Sequence, residues 1–136
     1  MATLRLEIVT PDARTYSDDV EMVTLPGVEG EMGIYPQHVP LMTQLVPGEI
    51  IVRKDGQDSF LAVGEGFVEV TAERVAVLTD MAIRSDDIDE AKAEQARRTA
   101  EQRLAQQISD EEAAVVNASL AHSLAQLQVK RRRQTK

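Results

Sequence analysis

The 136-residue chain contains no cysteine and no tryptophan, and its aromatic side chains are two phenylalanines and two tyrosines. Without cysteine there is no disulfide, thiolate metal site or cysteine nucleophile, which suits a reducing compartment. So few aromatics leave little on which bases of a nucleic acid could stack. No apolar run approaches the ~20 residues that span a bilayer, and "MATLRLEIVT" lacks the basic and apolar stretches of a secretory signal. The expectation is a soluble, intracellular protein. One core with an appendage fits this length.

Basic charge is scarce where the chain begins. Met1 to Asp87 holds 6 basic and 16 acidic residues (net −10), and Ile88 to Lys136 holds 9 and 7 (net +2), together the overall −8. An acidic first part argues against nucleic acid as a partner, because neutralising phosphates needs a basic surface.

What is present changes period at the same place. Up to about Arg84 short runs alternate or are rich in β-branched residues: "TLRLEIV", "VEMVTLP", "EIIVRK", "DSFLAV", "FVEVTA" and "RVAVLTD". They read as strands, with Leu4, Leu6 and Ile8 facing one way and Arg5 and Glu7 the other. Turn signals separate them, "KDGQ" being a strong hairpin signal. From Ile88 onward glycine and proline are absent and helix formers dominate. Two helices fit, one capped by Asp87 with Glu90 and one by Ser109 with Glu112, with the break at "QQISD". The first offers Ala96, Ala100, Leu104 and Ile108 to a seam. The second offers Ala113, Val116, Leu120, Leu124 and Leu127.

The expected fold is therefore α+β: an N-terminal antiparallel β-sandwich over 1–86 followed by an antiparallel two-helix hairpin over 87–136. An alanine seam contributes much less than the roughly 1.5–3 kcal/mol of each buried leucine. A hairpin able to detach and repack is one expectation. A permanently docked one is the other.

Chemistry-bearing residues are few. A lone His38 without a nucleophile motif gives no triad. With only His38 and His122 available, and Glu31 not at a helical ligand spacing from His38, no metal site is expected. The unusual stretch is "EGEMGIYPQHVPLMTQLVPG". Its glycines permit close approaches, and Pro36, Pro40 and Pro47 fix φ and remove donors, which makes a rigid, irregular surface.

The run Gly30, Gly33, Pro36, His38, Pro40, Leu41 and Thr43, followed by Pro47 and Gly48, then "GEGFVEV" and "IDEAKA" opening an Ala-rich hairpin, resembles the epsilon subunit of bacterial F-type ATP synthases, called delta in mitochondria. The resemblance covers essentially the whole chain. It implies a non-catalytic rotor subunit, peripheral on the cytoplasmic face of the bacterial inner membrane and touching the membrane only through its complex. Its sandwich would bind the gamma subunit and sit on the c-ring, coupling proton-driven rotation to the catalytic head. Glu31, His38, Gly30, Gly33, Pro36 and Pro40 would belong to that rotor interface; a solvated Glu31 and a turn-packing His38 are the plainer alternative.

The helical hairpin would rise along gamma and block ATP hydrolysis. Arg97, Arg98, Arg103 and Lys130, Arg131, Arg132 and Arg133 would meet the alpha and beta catalytic subunits, unless the basic end merely complements the helix dipole. Some members bind ATP through [I/L]-D-x-x-R-A, which here would place Ile88, Asp89, Lys92 and Ala93. Lysine replaces the arginine fork, and the later arginine positions fall on Thr99, His122 and Gln126. No cofactor is expected on that ground. A free-standing β-sandwich adaptor with a regulatory helical tail is the alternative to the rotor.

Overall fold

Strands precede helices throughout. The computed structural model describes residues 2–12 and 14–134, so the end of the basic tail at Thr135 and Lys136 lies outside the described residues. The strands are β1 (Leu4–Val9), β2 (Arg14–Val20), β3 (Met22–Gly27), β4 (Gly30–Ile34), β5 (Leu41–Leu45), β6 (Gly48–Lys54), β7 (Gln57–Val63), β8 (Gly66–Val70), β9 (Arg74–Thr79) and β10 (Ala82–Arg84). Strand alternation takes its expected form in β1, where Leu4, Leu6 and Ile8 are buried and Arg5 is exposed.

The sheet runs in the order β10-β7-β6-β3-β5-β8-β9-β1-β2, with β4 on the other edge of β3. Its two halves join through the single pair Gly27 and Leu45. They face one another over one core, Leu6, Ile8 and Val77 from one half packing with Leu25, Ile50 and Leu61 from the other. The sandwich expected to be antiparallel contains one parallel pair, β1 with β9. Parallel neighbours are brought together by a crossover distant in sequence, and no local turn signal marks them.

Two turns behave as their residues dictate. Asp55 (φ 54°) and Gly56 (φ 75°) take the two left-handed positions of the β6–β7 hairpin, as "DG" requires. The "VGEG" stretch instead carries the chain between layers, since β7 pairs with β6 and β10 while β8 pairs with β5 and β9. Gly64 N–H donates to Met81 O at 2.9 Å, and Asp80 N–H donates to Glu65 O at 3.1 Å, which ties this corner to the one after β9.

A 3-10 turn at Ser85–Asp87 leads to helix α1 (Glu90–Leu104) and then α2 (Asp110–Gln134). The α1 cap is Asp89, not Asp87: its Oδ1 accepts from Lys92 N–H at 3.1 Å. Asp87 is used in the 3-10 turn, and Ile88 stays extended so that its side chain can be buried. Ser109 caps α2 as expected, its Oγ accepting from Glu112 N–H at 3.1 Å.

The hairpin seam is shifted. Ala93 and Ala100 are the buried residues of α1, while Ala96 and Leu124 are exposed. Docking on the sheet redirects the end of α2: Ala125 and Val129 pack with Ile88 against Ala62, flanked by Phe60, Met81 and Ile83. That contact makes β7 buried on both faces, with Leu61 and Val63 inward and Ala62 outward.

Candidate functional site

Three surfaces carry the chain's unusual side chains. The first is the irregular stretch around β4. Gly30 (φ 131°) closes the two-residue turn between β3 and β4. Glu31 is exposed opposite Pro26 in the ladder and shares a cleft of about 150 Å³ with Gly48, Glu49 and Arg132. Gly33 pairs with Thr24, and a Cβ there would come within 3.1 Å of the Met22 methyl.

Pro36, His38 and Pro40 lie in the connection to β5, beyond the far end of β4 from Glu31. Gln37 N–H donates to Ala72 O at 2.7 Å, which holds this connection against the β8–β9 turn. His38 is half-buried, with Nδ1 2.7 Å from the Val39 carbonyl, to which it can only donate. Glu31 and His38 thus occupy opposite ends of β4 and do not form one constellation.

The second surface went unrecognised in the sequence. Phe67, Leu78 and Met42 are 60%, 56% and 69% exposed on the half of the sheet that the helices do not cover. Phe67 stands beside Leu78 in the β8–β9 register, and Met42 lies on the adjoining β5. The signal was in "FVEV": Val68 and Val70 point inward, so Phe67 shares the outer face with Glu69. Phe67, Leu78 and Met42 together form an exposed apolar patch on an otherwise polar face.

The third surface is the basic end of α2. Lys130 Nζ donates to Ser85 O at 3.1 Å. Arg131 reaches α1, with Nε 2.8 Å from Glu90 Oε2 and Nη2 3.2 Å from Glu94 Oε2. Arg132 and Arg133 reach β6, where Glu49 accepts from Arg132 Nη1 at 3.0 Å and from Arg133 Nε at 2.9 Å. The other arginines of the hairpin are also engaged: Arg97 with Glu94 and Glu101, Arg98 with Glu94 at 3.4 Å, and Arg103 with Glu112 on the facing helix. Of these, the Arg103–Glu112 pair and the Arg131 contacts with Glu90 and Glu94 cross between the two helices.

Glu94 sits at the centre of this network. The hydrogen bond from Arg97 lowers its pKa from 4.5 to about 2; burial opposes the shift, and Arg131 adds to it. Arg97 and Arg131 are correspondingly held further toward the cation by their carboxylate partners.

The residues aligned with a nucleotide motif do not converge. Ile88 is buried under α2, Asp89 is occupied in capping, and Ala93 is buried in the seam. Lys92 instead lines a groove of about 490 Å³ between the helices, with Thr99, Ala96 and Val116. His122 turns away to the sandwich, its Nε2 3.0 Å from Asp80 Oδ2. Among the described residues no three His, Asp or Glu side chains group to hold a metal ion, and no helix is long and apolar enough to cross a membrane.

Residues 3–85 match the family model described as the ATP synthase Delta/Epsilon chain beta-sandwich domain, and residues 86–131 match its long alpha-helix domain. Similar curated proteins include the ATP synthase epsilon chain of Laribacter hongkongensis, 40% identical over 93% of this chain and 92% of that one. That of Herpetosiphon aurantiacus is 43% identical over 98% of each. In fold, the chain is similar to one in the Euglena gracilis mitochondrial ATP synthase assembly OSCP/F1/c-ring: TM-score 0.75, 24% identity, covering 94% of this chain and 81% of that one. A chain of the Tetrahymena thermophila central stalk and c-ring structure gives TM-score 0.61 at 13% identity, covering 96% and 95%.

Proposed function

The chain belongs to the delta/epsilon family of ATP synthase chains, as a non-catalytic subunit of the central stalk, and from that premise we propose that it couples c-ring rotation to the catalytic head through gamma and restrains ATP hydrolysis with its helical hairpin. The observation that carries this reading is the division of the sheet between two tasks. One outer face is covered by α2 through Ala62, Phe60 and Ile83. The other presents Phe67, Leu78 and Met42 uncovered, an apolar surface suited to a permanent partner such as gamma.

The Glu31 end of β4 is the proposed contact with the polar loops of the c-ring, on the cytoplasmic face of the membrane. The hairpin would act separately, since its apolar hold on the sheet is small and its arginines are held by ion pairs that acidic segments of the alpha and beta subunits could replace. No observation favours the free-standing adaptor.

The test is ATP hydrolysis by the cognate catalytic complex depleted of this subunit, after adding back the full chain or a version ending at Asp87. Binding of both with suppression by the full chain alone is expected. Equal turnover with both would remove the inhibitory role and leave the coupling role. Binding of neither would overturn the rotor assignment.

A further inference from the structure

The four basic residues at the end of α2 do not contribute equally to its position. Arg131 and Arg132 are 53% and 57% exposed, and ion pairs in that setting contribute little. Arg133 is different. Its guanidinium forks both oxygens of Glu49, Nε to Oε2 at 2.9 Å and Nη2 to Oε1 at 2.5 Å, with side chains only 19% and 9% exposed. The same guanidinium lies over the Phe60 ring, its central carbon 3.7 Å from the centroid. A shielded bidentate pair with a cation on an aromatic face is the strong form of this interaction.

The rest of the docking contact is thin. Two of the four buried members of the cluster joining α2 to the sheet are alanines, Ala62 and Ala125. A polar fork therefore carries a large share of what keeps the hairpin down. Unlike an apolar contact it can be exchanged, because an outside carboxylate satisfies the same guanidinium and Glu49, once uncovered, is satisfied by water.

We propose that Glu49 is a built-in substitute for an acidic protein partner: it occupies Arg133, together with Arg132, in the docked state, so docking of the hairpin and binding of an acidic segment are mutually exclusive. The latch deepens the regulatory reading above and rests on it for its use. Its physical content belongs to the isolated chain. Only Arg132 and Arg133 depend on Glu49; Arg131 stays paired with Glu90 and Glu94 of the same hairpin when the fork opens.

The experiment is amide hydrogen exchange on the full, isolated chain, comparing α2 residues 120–134 with the core strands β1 and β9. In Glu49→Gln, exchange in α2 should quicken about tenfold, as loss of one charge-assisted contact predicts, while β1 and β9 keep their rates. A soluble polyglutamate peptide should act on α2 in the unaltered chain as the variant does. Unchanged α2 exchange in Glu49→Gln, or no response to the peptide, would each overturn the latch. Should Glu49→Gln loosen the sheet as well, Arg133→Lys, which keeps the charge and removes the fork without touching a strand, is read by the same criteria. Because no other subunit is present, a failed rotor assignment leaves these results unaffected.

Discussion

His122 of α2 and Asp80 at the corner after β9 meet across the junction of helix and sandwich, Nε2 standing 3.0 Å from Oδ2. Gly64 forms the floor beneath them: a Cβ there would lie 2.0 Å from Asp80 Oδ1 and 3.0 Å from the imidazole. The Nε2 atom is shut off from solvent and lacks an aligned hydrogen bond, with the Asp80 carboxylate beside it. Replacing His122 with alanine should lower the stability of the docked chain by about 1 kcal/mol. Urea unfolding followed through α2 would measure the loss; an unchanged midpoint would make the pair incidental.

Gly66 opens β8 against β9, and a Cβ at this position would fall 1.8 Å from the Leu78 carbonyl oxygen. The obstacle is backbone, which cannot swing aside as a side chain could. Gly66→Ala should cost about 3 kcal/mol or more, lowering the thermal midpoint by roughly 10 °C or beyond. A melting curve that matches the parent would mean the β8–β9 corner is far more pliable than its geometry indicates.

Phe67 and Leu78 should be expendable for folding and necessary for assembly. Both are exposed in this chain, so Phe67→Thr with Leu78→Thr, an uncharged cross-strand pair, is expected to change stability by no more than about 1 kcal/mol. Affinity for gamma should fall about 30-fold or more, as for truncation of an interface anchor. Isothermal titration of the full chain and its variant against gamma distinguishes this from a surface that meets no partner.

Glu94 supplies the pH dependence. Its folded pKa of about 2 lies below the ordinary 4.5, chiefly because Arg97 donates to it. A carboxylate depressed in this way stabilises the folded form above the ordinary value, and the contribution is lost as pH falls from about 4.5 through about 2. The contacts of Glu94 with Arg97 and Arg131 should weaken across that window. Carboxyl NMR of Glu94 reads it directly, and a midpoint near 4.5 would remove this group from the account.

Much of the fold is legible in the sequence. The period-two runs mark strands because alternate side chains must face one core, and Asp55-Gly56 marks its hairpin because both positions need left-handed backbone. The missing glycines and prolines after Asp87 left helix as the fitting structure. Residues whose role depends on a distant partner were illegible for the same reason in reverse. The α1 cap moved from Asp87 to Asp89 because burial of Ile88 beneath α2 takes precedence over a capping pattern of equal local quality.

The sequence by itself determined where strands give way to helices, the irregular glycine and proline surface around Glu31 and His38, and the resemblance those residues carry. Such properties reside in spacing along the chain, where propensity and periodicity act. Tertiary structure alone decided that β1 and β9 run parallel, that α2 covers one face of β7 and leaves Phe67 and Leu78 open on the other half, and that Arg133 finds Glu49, 84 residues away. Ion pairs and exposed faces depend on how finished elements are placed against one another, and no local pattern encodes that placement.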